Sequence, residues 1–62
     1  MGTLDGRRFV VIGLGKSGLS ASAMLLNRGA HVIAFDENPN ATAPFPTERF
    51  ELKTGALPER FW

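Results

Sequence analysis

Gly13-Leu14-Gly15-Lys16-Ser17-Gly18 follows directly on the apolar run Phe9, Val10, Val11 and Ile12, and Asp36 closes a second apolar run about twenty residues later. A strand that ends in such a glycine turn delivers the chain to a helix N-terminus. There, unpaired backbone N–H groups and the positive end of the helix dipole face one point, which suits phosphate. The three glycines have separate roles. Gly13 permits a turn that a side chain would obstruct, Gly15 lets backbone approach phosphate oxygens, and Gly18 lets the helix lie close on the strand. A bare Gly-x-Gly-x-x-Gly pattern also arises by chance in loops, so the flanking strand, helix and acid carry the assignment. Together they read as a nucleotide-binding βαβ unit.

Each chemically capable side chain has a plain structural alternative. Asp36 stands where an acid hydrogen-bonds the adenosine ribose of NAD, and equally where one merely ends a strand and starts the turn signalled by Asn38-Pro39. Lys16 is a phosphate partner or a solvated side chain on the first helical turn. Ser17 can address a phosphate oxygen through hydroxyl and N–H, or it can cap the helix. Lys16-Ser17 lacks the preceding four-residue spacing of a P-loop. His31 has no second ligand candidate and reads as a surface residue. Glu48 and Glu51 fall on opposite sides of a short strand, so no carboxylate pair is assigned. No catalytic residue and no metal ligand is expected in this chain.

Sixty-two residues make one small domain at most, and a chain of this length buries only about 60% of its unfolded surface. There is no cysteine, hence neither a disulfide nor a thiolate metal site, and nothing argues for an oxidising compartment. A cytoplasmic location is expected. The N-terminal residues lack a secretory apolar region, and no run approaches the roughly twenty apolar residues that span a bilayer. Net charge is +1 with acids and bases interspersed, which leaves no basic face for nucleic acid. Arg7-Arg8 reads as the solvated start of a strand.

The elements that must position the turn follow from periodicity. Residues 9–12 are short, β-branched and without alternation, as in a parallel strand covered on both faces. Over 17–28, Leu19, Ala23 and Leu26 recur at helical spacing, with Met24 and Leu25 widening a core stripe and Ser20, Ser22 and Asn27 mostly elsewhere. Gly29 suits a left-handed helix exit, and Arg28 places a base in the last turn. Residues 30–35 form a second strand, long enough after the first for a right-handed parallel crossover. The stretch 37–46, with Pro39, Pro44 and Pro46, is a loop. Residues 49–53 are predicted as a third strand ended by Thr54-Gly55, and 56–62 as the start of another helix. The fold class is α/β, a Rossmann-like βαβ unit with parallel strands, truncated relative to a full doubly wound domain.

Val10-Val11-Ile12-Gly13-Leu14-Gly15-Lys16-Ser17-Gly18-Leu19-Ser20, then Leu25-Leu26-Asn27-Arg28-Gly29-Ala30, Phe35-Asp36 and Lys53-Thr54-Gly55 resemble the N-terminal domain of the D-glutamate-adding Mur ligases of peptidoglycan synthesis. Leu4-Asp5-Gly6 also fits that family. The resemblance implies that residues 1–62 are part of a domain that binds the UDP moiety of UDP-N-acetylmuramoyl-L-alanine. Leu14, Gly15, Lys16, Ser17 and Gly18 would then lie along the diphosphate and Asp36 beside the uracil. Glu37 and Asn38 depart from the hydroxyl or base that relatives often present after the acid. The resemblance further implies that ATP, Mg and the ligation chemistry belong to a central domain and amino-acid binding to a C-terminal one, both outside these residues. The remaining ligase domains would be this chain's partners. The alternative is the first half of an NAD(P)-binding domain of a dehydrogenase or transport regulator.

Overall fold

The structure is a computed structural model in which residues 3–55 are described. The expected helix start over 56–62, with Phe61 and Trp62, lies outside the described residues. Four elements follow in order: β1 (Arg8–Ile12), α1 (Lys16–Asn27), β2 (His31–Asp36) and β3 (Phe50–Thr54). The three strands form one parallel sheet in the order β1-β2-β3. This is the expected α/β arrangement, with the third strand one residue later than its sequence pattern indicated.

The register determines which side chains share a face. Phe9 pairs with Val32 and Val11 with Ala34, while Val32 and Ala34 pair in turn with Phe50 and Leu52. Paired residues of parallel strands point to the same side, so these six form one apolar face. That face lies under α1, since a Cβ added at Gly18 would stand 3.4 Å from Cγ1 of Val11. Val32, Ala34 and Ala30 are almost fully buried there, with Leu26 and Leu14 beside them. The opposite face carries Val10 and Ile12, exposed at 37% and 42%. The expectation that the first strand is covered on both faces is therefore corrected among the described residues. A parallel strand reads as continuously apolar whether or not its second cover lies in the same segment of chain.

Of the stripe that periodicity suggested, Leu26 is buried and Leu19 and Leu25 are half-buried, but the rest of the face differs. Ser22, assigned mostly to the polar side, is fully buried, whereas Met24 is 48% exposed and Ala23 is exposed. Gly18, Ser22 and Leu26 face the sheet, because small residues let the helix approach the strands closely.

Three devices secure the C-terminal end of α1. Arg28 is the C-cap, and Gly29, at φ +91°, reverses the chain in the left-handed region where a side chain is strained. Gly29 N–H donates to Leu26 O and Ala30 N–H to Leu25 O, both at 3.1 Å, the two bonds of a Schellman motif. The turn before β1 packs on this end: Leu4 N–H donates to Arg28 O at 3.0 Å, and a Cβ at Gly29 would strike the Asp5 carboxylate. Finally, Arg49 Nη1 donates to Leu26 O and Ala30 O at 2.9 and 2.8 Å. The cation expected at the helix end from Arg28 is thus supplied by Arg49, immediately before β3. The connection over 37–49 contains no helix and crosses on the α1 side, where Phe45 packs edge-on against Phe50 with ring centroids 4.9 Å apart.

Candidate nucleotide-binding turn

All three strands run in the same direction, so their C-terminal ends and the turns that follow them gather at one sheet edge. In open parallel sheets that edge is where ligands bind. Gly13 leaves β1 at φ +88° and its N–H donates to Phe35 O at 2.6 Å. Leu14 turns its side chain into the core, 8% exposed, and Gly15 is the N-cap of α1 with no side-chain cap bond. Lys16, Ser17 and Gly18 form the first helical turn. Their N–H groups have no acceptor one turn earlier in the helix, and the first N–H to find one is that of Leu19, on Gly15 O at 2.9 Å.

The three glycines of the motif are required for different reasons. Gly13 holds a backbone conformation that L side chains rarely adopt. Gly18 is required by packing, because its Cβ would drive into the carbonyl oxygen of Gly13. Gly15 is required by neither: its φ is −69°, and a Cβ there would meet nothing within 4 Å among the described residues. A side chain at Gly15 would occupy only the open space at the helix N-terminus, where an incoming anion would meet the free N–H groups.

Asp36 ends β2 at this edge. Oδ2 accepts Leu14 N–H at 2.7 Å and Oδ1 accepts Asn38 N–H at 2.9 Å. These bonds, that from Leu14 foremost, hold its carboxyl below the ordinary carboxylate range and outweigh the small upward push of desolvation. The turn role weighed for Asp36 is therefore present in the structure, with an added bond across to the glycine turn that no local pattern signals. Leu14, expected along the diphosphate, has its N–H committed to Asp36. Lys16 and Ser17 are exposed, and Ser17 is not the cap, since Gly15 occupies that position. Gly55 joins the edge through its N–H, donated to Asp36 O at 3.0 Å. Its glycine after an alternating strand was the available signal.

The other sequence candidates lie elsewhere. His31 is exposed at the opposite, N-terminal edge of the sheet, in a cavity it lines with Arg8, Ile33, Glu48 and Glu51. Glu48 precedes β3 and lines this cavity together with Glu51, which corrects the expectation that the two fall on opposite sides of a strand; Glu51 forms a surface ion pair with Lys53 at 3.1 Å. That cavity is far from the helix N-terminus and the glycine turn. Among the described residues, no helix is long and apolar enough to cross a membrane.

Comparison with curated sequences gives four matches of one kind. The UDP-N-acetylmuramoylalanine–D-glutamate ligase of Chelativorans sp. (strain BNC1) is 35% identical over 60 residues, 97% of this chain. The chain belongs to the D-glutamate-adding Mur ligase family. The ligase of the same name from Caldicellulosiruptor saccharolyticus is 53% identical over 34 residues, 55% of this chain, and that from Rhizobium meliloti is 45% identical over 41 residues, 66% of it. The chain spans only 12%, 8% and 9% of the length of these three ligases. No family model and no solved structure matches it. Membership of the D-glutamate-adding ligases therefore rests on sequence, and the parallel βαβ unit agrees with it.

Proposed function

We propose that this chain supplies the part of a D-glutamate-adding ligase that anchors the UDP moiety of UDP-N-acetylmuramoyl-L-alanine. The observation that carries the reading is the open helix N-terminus behind Gly15, at the edge where the turns after all three strands meet. The N–H groups of Lys16, Ser17 and Gly18 would hold the diphosphate, with Lys16 supplying charge and the Ser17 hydroxyl a further donor. The nucleoside would lie toward the end of β2, beside Asp36. A carboxylate has about four acceptor sites, so the two backbone bonds leave Asp36 able to accept from a base or ribose.

In this reading the 62 residues anchor substrate and carry out no chemistry themselves. Joining D-glutamate to the muramoyl-alanine substrate with ATP and Mg is assigned to the rest of a cytoplasmic parent enzyme. A titration followed by NMR tests the anchoring role. UDP or UDP-N-acetylmuramoyl-L-alanine is expected to shift the signals of Gly15, Ser17 and Asp36 at lower concentration than NADH does. Tighter binding of NADH at those residues would replace the reading with that of a dinucleotide-binding domain.

A further inference from the structure

We propose that Asp36 is a positioning residue for the phosphate-binding turn, fastening the turns after all three strands and fixing the plane of the Gly13–Leu14 peptide. Its carboxylate reaches the turn after β1 through Leu14 N–H at 2.7 Å and the turn after β2 through Asn38 N–H at 2.9 Å. Its main-chain oxygen takes Gly55 N–H, after β3, at 3.0 Å. The neighbouring Phe35 O takes Gly13 N–H at 2.6 Å. One residue therefore meets every connection that borders the candidate site.

The bond to Leu14 matters most because of the peptide it holds. The Gly13–Leu14 peptide has its carbonyl oxygen packed against Gly18 and its N–H on Asp36 Oδ2, so both ends of the plane are fixed. The residues on either side of Leu14 are glycines, whose backbone rotates with little hindrance. Without the acid, the Gly13 N–H bond to Phe35 O, the buried Leu14 side chain and the Gly18 contact would be left to hold this turn, and none of them holds the Leu14 N–H. A rotated plane would swing the Gly13 carbonyl off the helix start and disturb the array of N–H groups that an anion needs. Asp36 thus acts on phosphate through the turn, in addition to any contact it makes with a nucleoside. This inference deepens the UDP-anchoring reading and rests on it for its ligand.

Inorganic diphosphate, which has no nucleoside, separates the two roles. In the 62-residue chain, Asp36→Ala, which removes the acceptor altogether, is expected to weaken diphosphate binding about tenfold, the scale of a lost charge-assisted hydrogen bond. It is also expected to speed amide exchange at Leu14 while leaving Val32 and Ala34 protected. Diphosphate affinity that is unchanged or tighter, with only UDP affinity reduced, would overturn the proposal and make Asp36 a nucleoside contact alone. Should the variant unfold, the wild-type chain still decides: a scalar coupling across the hydrogen bond from Leu14 N to the Asp36 carboxyl carbon is expected, and its absence overturns the clasp. If the wild-type chain binds neither UDP nor diphosphate, the anchoring reading fails, whereas the coupling and the exchange at Leu14 still judge the clasp by themselves.

Discussion

Gly18→Ala probes the contact on which the site geometry depends. In an exposed helix interior this change would stabilise by up to about 1 kcal/mol, because alanine is the better helix former. Here the new Cβ would drive into the Gly13 carbonyl oxygen, with the Gly13 carbonyl carbon at 3.0 Å and Val11 Cγ1 at 3.4 Å. The obstacle is backbone, and that backbone is tied on its far side to Asp36, so it cannot rotate away cheaply. Forcing an extra carbon into a packed site typically costs about 1–3 kcal/mol, and this geometry belongs at the upper end. The net expectation is a loss of about 1–2 kcal/mol, a large share of the roughly 5 kcal/mol at the lower end for small domains. Urea unfolding followed by far-UV circular dichroism reads it. With a slope of about 1 kcal/mol/M, the midpoint should fall by about 1–2 M. Gly15→Ala is the control, since its Cβ meets nothing within 4 Å. Its stability should fall by less than about 1 kcal/mol, the scale of an N-cap change, while UDP affinity drops. A Gly18→Ala midpoint at or above wild type, or a Gly15→Ala midpoint that falls as far, would refute the division of roles among the glycines.

Three further outcomes are expected. Ser22→Ala should stabilise by about 0.5–1 kcal/mol in the same urea assay, since its hydroxyl is fully buried with no hydrogen-bond partner among the described residues and alanine favours helix; a clear loss would reveal a bond the hydroxyl makes. Arg49→Met should destabilise by about 1–3 kcal/mol through loss of the guanidinium bonds to Leu26 O and Ala30 O, with faster amide exchange at Gly29 and Ala30. Arg49→Lys, a compact ammonium without the planar fork, should recover only part. Because the Asp36 carboxyl sits below its ordinary value of 3.8, its bonds to Leu14 and Asn38 contribute fully above that pH and fade as pH falls through the lower native value. Leu14 amide protection should accordingly survive at pH 3.8 and be lost only below it; loss at higher pH would contradict the shift.

Much of this molecule was legible from local sequence, because the decisive signals were short-range. The glycine turn between an apolar run and a helix start, the Gly29 exit and the proline-rich connection each rest on backbone rules that act within a few residues. Those signals fix the element order, and the spacing between strands makes the sheet parallel. Tertiary structure decided which face of α1 is buried, since helical period alone could not weigh Ser22 against Ala23 and Met24. It also brought Arg49 to the end of α1 and Gly55 to Asp36, contacts between residues 19 to 23 positions apart. The bond from Leu14 to Asp36 spans 22 positions. Such bonds depend on register, which no window of sequence contains: pairing Ile12 with Phe35 is what carries the glycine turn alongside the acid. Sequence by itself determined that a helix would start directly behind a glycine turn, and only the packed sheet decided that Asp36 would take the Leu14 N–H within that turn.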